Sequence, residues 1–69
     1  MDTIKIHTEF IKLNQLLKWV NAVSSGAEAN HLITEGFVAV NGEVELRKGK
    51  KIYPGDRIEV QGVGCFLVE

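Results

Sequence analysis

Residues 25–42 read SGAEANHLITEGFVAVNG and contain the clearest structural signals in the sequence. Ser25 and Glu28 have the spacing of a capping box, in which the serine oxygen accepts from the amide three residues on and the glutamate reaches back. Gly36 is placed to end the resulting helix in a left-handed conformation. Asn41-Gly42 separates two strand-like runs and is a strong signal for a two-residue hairpin turn. The stretch therefore predicts a capped helix followed by a β-hairpin.

The hairpin register follows from the length of the turn. A two-residue turn places Val40 opposite Glu43 and Ala39 opposite Val44. Because side chains alternate along a strand, one set shares the face that we assign to the core: Phe37, Ala39, Val44 and Leu46. We expect Glu43 and Glu45 on the other face.

The remaining segments predict further strands and one more helix. Residues 3–7 alternate as a short, half-buried strand, and apolar residues recur at helical spacing between Phe10 and Val20. Pro54-Gly55-Asp56 predicts a turn, with strands at 57–60 and 65–69. No linker or repeat divides the 69 residues, so we expect one domain over residues 1–69. The expected core includes Leu16, Leu17, Val20, Ala29, Leu32, Ile33, Phe37, Val44 and Leu46.

Composition argues against several classes of function. No apolar run approaches the roughly 18 residues of a membrane span, and the amino terminus lacks the features of a signal peptide, so we expect a cytoplasmic protein without membrane contact. The only cysteine, Cys65, excludes an internal disulfide and is interpreted as a small buried hydrophobic residue. His7 and His31 lack metal-ligand spacing, and no catalytic motif is present. We expect no catalytic residue, metal or cofactor.

Positive charge is concentrated in residues 47–51, called here the basic segment, although the net charge is -1. It contains no acid and four cations: Arg47, Lys48, Lys50 and Lys51. Arginine offers phosphate two hydrogen bonds and lysine a point charge, whereas the alternative is a solvated loop without function. Lys12 and Lys18 extend the patch if the first helix lies beside it.

The start of the second helix is another candidate for binding an anion. Ser25, Gly26 and Ala27 offer backbone amides, and the helix dipole favours negative charge there, unless the cap satisfies these amides itself. His31 is interpreted as an exposed helix residue that at most contacts a phosphate.

Residues 25–42 resemble the core signature of the S-four RNA-binding domains, the family named after ribosomal small-subunit protein four. The shared pattern runs from a serine, through an alanine four positions later, to a glycine, a valine and Val-Asn-Gly. Residues 54–60 look like the closing turn and strand of that family, and the match covers positions 13–60. The likeness is greatest to small, stand-alone bacterial proteins of the YaaA/YbcJ type, which share Leu16-Leu17-Lys18, Ser25-Gly26, Gly42-Glu43 and the basic run before Pro54-Gly55-Asp56.

The resemblance implies an α+β, S-four-like RNA-binding fold, with two main helices packed on a small, bent antiparallel sheet. It also implies that structured RNA, ribosomal or transfer, lies against the second helix and the basic segment, and it leaves a ribosome-associated or other protein partner open. Gly26 and Asn30 stand where many such domains carry a basic residue, although the stand-alone proteins also have glycine at the first position. The expected RNA-binding residues are Lys12, Lys18, Ser25, Gly26, Asn30, His31, Arg47, Lys48, Lys50 and Lys51.

Two alternatives to RNA binding remain open at this point. The opening strand, the Leu-Leu helix and the run from Val38 to Gly42 also resemble the β-grasp sulfur carriers, which have one long helix and end in Gly-Gly. This sequence ends in Val68-Glu69 and has a second capped helix before the hairpin. A protein-interaction adaptor is the other alternative, since an acidic hairpin face offers a docking surface.

Overall fold

The structure is a computed structural model that describes Met1–Glu69. Two helices and seven strands follow one another in this order: β1 (Asp2–Ile4), β2 (Ile11–Lys12), α1 (Leu13–Trp19), α2 (Gly26–Thr34), β3 (Val38–Val40), β4 (Glu43–Val44), β5 (Lys51–Ile52), β6 (Arg57–Val60) and β7 (Gly64–Val68). The predicted α+β class with two main helices is confirmed. The single long helix expected of a β-grasp carrier does not occur.

The strands form two sheets. Five of them lie in the order β1-β7-β6-β3-β4, and β2 pairs with β5 in a separate two-stranded sheet. The expected sheet is antiparallel throughout, which needs one correction: β1 and β7 are parallel, with Asp2 opposite Phe66 and Ile4 opposite Val68. Parallel neighbours require a long crossover, and here the crossover is nearly the whole chain.

The capped start of α2 and its glycine stop are confirmed. Ser25 Oγ accepts from the Glu28 amide at 3.2 Å, while the Glu28 carboxylate accepts from the Ser24 amide at 3.1 Å, one residue earlier than an ideal capping box. At the other end Gly36 has φ +84°, and the amides of Gly36 and Phe37 donate back to the carbonyls of Ile33 and Leu32. This is the Schellman arrangement that a left-handed glycine permits.

The predicted hairpin register is confirmed, but the predicted core face is wrong. Asn41 and Gly42 both have positive φ, and Ala39 lies opposite Val44. The buried side chains are nevertheless those of Val38 and Val40, whereas Phe37, Val44 and Leu46 are exposed. The turn fixes which residues lie opposite each other across the hairpin, but it does not fix which side of the hairpin the helices cover. The helices cover the side that continues into Ile58 and Val60 of β6.

The core draws on both helices and both sheets. Fourteen buried apolar side chains form one cluster: Ile6, Leu13, Leu16, Leu17, Val23, Ala29, Ile33, Val38, Val40, Ile52, Ile58, Val60, Phe66 and Val68. Of the predicted core, Val20 and Leu32 are only partly buried. Cys65 lies half-buried on the sheet face away from the helices, so its assignment to the core is also wrong.

The first helix is shorter than its periodicity indicates. Phe10 lies outside it, and Ile11–Lys12 is extended because these two residues pair with β5, with Ile11 opposite Ile52. This small sheet was not predicted. It matters for the site because it ties the start of α1 to the end of the basic segment.

Candidate nucleic-acid interface

The basic segment is anchored to the start of α1. Leu13 donates its amide to the Lys50 carbonyl at 2.9 Å, and Asn14 donates to the Lys48 carbonyl at 3.1 Å. Because α1 has no side-chain cap, these carbonyls satisfy amides that a helix start leaves unpaired. The segment is therefore held by its backbone, while Lys48 and Lys51 are exposed and Lys50 is half-buried.

Pairing of β2 with β5 brings Lys12 to the basic segment. Lys12 and Lys51 are cross-strand partners, and both are exposed. Directly opposed residues in an antiparallel pair project from the same face. The pairing therefore brings Lys12 beside the basic segment, although Lys12 and Lys51 lie far apart in the sequence.

Arg47 is the one cation of the basic segment that an acid neutralises. Its Nε and Nη2 donate to the two carboxylate oxygens of Glu45 at 3.0 and 3.2 Å, and its amide donates to the same carboxylate at 3.0 Å. These hydrogen bonds, with the charge of Arg47, lower the pKa of Glu45 from 4.5 to about 2 and raise the pKa of Arg47. Arg47 therefore has less charge available for phosphate than the lysines around it.

Helix α2 borders the same region through a contact between two amides. Asn14 Nδ2 donates to Asn30 Oδ1 at 3.2 Å, and Asn30 is half-buried. Lys18 is one turn beyond Asn14, and Gly26 is one turn before Asn30, so each lies on the same side of its helix as the contact between the two amides. Asn30 thus links the two helices, while His31 beside it is exposed.

The start of α2 is a weaker place for an anion than the basic segment. The amides of Gly26 and Ala27 have no acceptor within the chain, which leaves them free for a ligand. The Glu28 carboxylate, however, already lies at this helix end and accepts from Ser24. Its negative charge offsets the positive end of the helix dipole.

Two open clefts flank the basic segment and share Arg47, Lys50, Lys51 and Tyr53. One, of about 530 Å³, has only Gly49 besides these four; the other, of about 420 Å³, also contains Glu43, Glu45 and Asp56. Sequence reasoning missed Tyr53. A signal was present in the composition, since Tyr53 follows the basic segment closely and surfaces that bind single-stranded nucleic acid combine cations with aromatic rings.

Other surfaces of the chain do not have this character. A third cleft, of about 500 Å³, lies on the sheet face away from the helices and is lined by apolar residues and Glu59, without lysine or arginine. No cluster of three or more histidine, cysteine or acidic residues is arranged to hold a metal ion. Neither helix has the length and apolar character that a membrane-spanning segment needs.

Comparison with known proteins gives matches along most of the chain. Residues 4–68 match the S4 domain. The chain is 43% identical over 67 residues to RlbA of Bacillus subtilis strain 168, whose name proposes a role in ribosome maturation; the alignment covers 97% of this chain and 94% of that protein. It is 40% identical over 58 residues to YbcJ of Escherichia coli strain K12, whose name proposes RNA binding, with 84% and 83% covered.

Proposed function

Because the chain belongs to the S4 (S-four) domain family of RNA-binding proteins, we propose that residues 1–69 act as one domain that binds structured RNA through its phosphates. The observation that carries the proposal is that Lys12 lies beside the basic segment: Lys12 and Lys51 are cross-strand partners, and the carbonyls of Lys48 and Lys50 accept from the start of α1. None of these lysines forms a salt bridge with an acid, and a group of unpaired cations fits a polyanion.

The contact surface proposed here combines the basic segment with the seam between the helices. Lys12, Lys50 and Lys51 supply most of the affinity, and Arg47 contributes less because Glu45 holds it. The phosphates of a second RNA strand contact residues on or beside this seam: Lys18, Gly26, Asn30 and His31. Ser25 acts mainly by ordering the helix start, since its hydroxyl accepts from the Glu28 amide.

Of the two expected kinds of RNA, we propose ribosomal RNA rather than transfer RNA as the ligand. RlbA, which aligns with nearly the whole chain, carries a name that proposes ribosome maturation. Helical RNA is recognised largely by shape and phosphate contacts, which suits a surface of lysines. We assign the surface a binding role in the cytoplasm and no reaction, since it offers cations and amides to RNA but no nucleophile beside a base.

The deciding experiment is a salt titration of RNA binding with the intact protein and the variant Lys50→Ala/Lys51→Ala. Each lysine that neutralises a phosphate releases counterions, so the double variant is expected to bind different structured RNAs more weakly by similar factors. The slope of log affinity against log salt is expected to flatten by about 1 to 2. Circular dichroism checks the fold, which survives because the Lys51 side chain is exposed and Ile52, the core residue of β5, is retained.

Arg57→Ala serves as the control for loss of one positive charge elsewhere on the surface. Arg57 is exposed, lies opposite Leu67 on the sheet face away from the helices, and lines neither basic cleft. It is expected to change affinity and slope much less than the double variant. Equal affinity and slope for the intact and doubly substituted proteins would contradict the proposal. Absence of RNA binding by the intact protein would favour a protein-interaction adaptor instead.

A further inference from the structure

We propose that Tyr53 is a stacking platform for one unpaired nucleobase of the bound RNA. The inference rests on the proposed RNA-binding function and adds to it a contact with a base, beside the contacts with phosphates. It would let the domain prefer RNA with a bulged or looped nucleotide over a fully paired helix of the same length.

The backbone of Tyr53 is held in a hydrogen-bonded turn. Its amide donates to Asp56 Oδ2 at 2.8 Å, and the Asp56 amide donates back to the Tyr53 carbonyl at 3.0 Å. Asp56 is fixed in turn by Asn41 Nδ2, which donates to its other carboxylate oxygen at 3.0 Å. The turn therefore fixes the backbone from which the ring projects, which lowers the cost of ordering this segment when a base binds.

Phe10 packs against the Tyr53 ring, and Tyr53 remains exposed. The two ring centroids are 5.9 Å apart, with the planes tilted by 49°. Lys51 Nζ lies 4.9 Å from the Phe10 ring centre, so a cation already covers that ring. Tyr53, which is 42% exposed, is therefore the aromatic surface of this pair that a base can reach.

The cleft beside Tyr53 has the composition that a nucleotide requires. It measures about 530 Å³ and is lined by Arg47, Gly49, Lys50, Lys51 and Tyr53. Sites that bind single-stranded RNA combine aromatic rings for the bases with cations for the backbone, because every base has a face that can stack. Here the ring and three cations line one cleft, with no acid among its residues.

Other exposed aromatic residues lack these neighbours. Phe37 has nearly the same exposure, at 41%, but its cleft contains Glu59 and no cation. Trp19 is exposed at the end of α1 and lines no cleft. Exposure alone does not single out Tyr53; its place among cations does, and Phe37 becomes the matched control.

The experiment compares two RNAs, a fully paired duplex and the same duplex with an adenine bulge that carries 2-aminopurine. Dissociation constants and 2-aminopurine quenching are measured for the intact protein, Tyr53→Leu, Tyr53→Phe and Phe37→Leu. Leucine keeps apolar bulk against Phe10 but removes the aromatic face, and phenylalanine keeps the face without the hydroxyl. Circular dichroism confirms that each variant is folded.

We expect the intact protein and Tyr53→Phe to prefer the bulged RNA by roughly 5- to 100-fold and to quench the probe. Tyr53→Leu is expected to lose that preference and the quenching while keeping its affinity for the paired duplex, and Phe37→Leu is expected to behave as the intact protein. Equal binding of both RNAs by the intact protein, or an unchanged preference in Tyr53→Leu, would overturn the stacking inference and leave phosphate binding intact. Failure of the intact protein to bind either RNA would overturn both.

Discussion

Lys12 and Lys51 lie directly opposite each other in the two-stranded sheet formed by β2 and β5. Both are exposed, and neither takes part in an ion pair within the chain. Like charges that lie directly opposite each other destabilise an antiparallel pair. The arrangement thus opposes folding slightly while concentrating positive charge, and a bound polyanion removes the repulsion.

Replacing Lys12 with glutamine is therefore expected to separate stability from binding. The free energy of unfolding in urea is expected to rise by up to about 0.5 kcal/mol, because the repulsion between the two exposed lysines is gone. RNA affinity falls, and the salt slope flattens by about 1. Arg57→Gln is the charge-matched control and is expected to leave the affinity largely unchanged. A Lys12→Gln variant that is less stable, yet binds RNA as tightly, would contradict this assignment.

The pair between Glu45 and Arg47 predicts a stability that depends on acidity. Hydrogen bonds from Arg47 hold the pKa of Glu45 at about 2 in the folded chain, below its ordinary 4.5. A lowered folded pKa means that the contribution is complete above about pH 4.5 and is lost as the pH falls towards 2. Thermal melts across this range are expected to show a steeper decline for the intact protein than for Glu45→Gln, in which the titrating group is absent; parallel curves would argue against the pair.

Glu45→Gln is also expected to bind RNA more tightly at neutral pH. The substitution removes a negative charge that holds Arg47 and frees a guanidinium able to contact phosphate with two hydrogen bonds. The measurement is a dissociation constant at fixed salt for Glu45→Gln and for Glu59→Gln, an acid on the far face of the sheet. Equal gains in the two variants would indicate a change in net charge alone.

The cap of α2 offers a test with a neighbouring control. Ser25→Ala is expected to lower the free energy of unfolding by roughly 0.5–2 kcal/mol, because the Glu28 amide loses its acceptor. The hydroxyl of Ser24 makes no hydrogen bond, so Ser24→Ala is expected to change stability by less than about 0.5 kcal/mol. If both variants melt like the intact protein, the cap contributes nothing measurable.

Two substitutions on adjacent strands test which face of the hairpin is buried against the helices. Val38 is 1% exposed and Val44 is 63% exposed. Val38→Ala is expected to cost about 1.5–3 kcal/mol in urea denaturation, since two buried methyl groups are removed and a cavity remains. Val44→Ala is expected to stay within about 0.5 kcal/mol. The reverse ranking would mean that the helices cover the other face of the sheet.

Local features were predicted well because near neighbours in the chain decide them. The Ser25 cap, the Gly36 stop and the Asn41-Gly42 turn each depend on a few residues and their preferred backbone angles. The basic segment could likewise be recognised from composition, since it needs only consecutive cations. The acid that holds Arg47 was missed, because the position of Glu45 depends on how the chain leaves β4.

The order of the main elements, the hairpin register and the place of the positive charge follow from short segments of the sequence. Which face of the hairpin is buried depends instead on long-range packing, because Val38 and Val40 on one face and Phe37 and Val44 on the other are all apolar, so the alternation of side chains does not distinguish the two faces. The tertiary structure also set Lys12 against Lys51 and placed Tyr53 between the clefts of the basic segment. These contacts join residues far apart in the chain, and packing of the whole core fixes them.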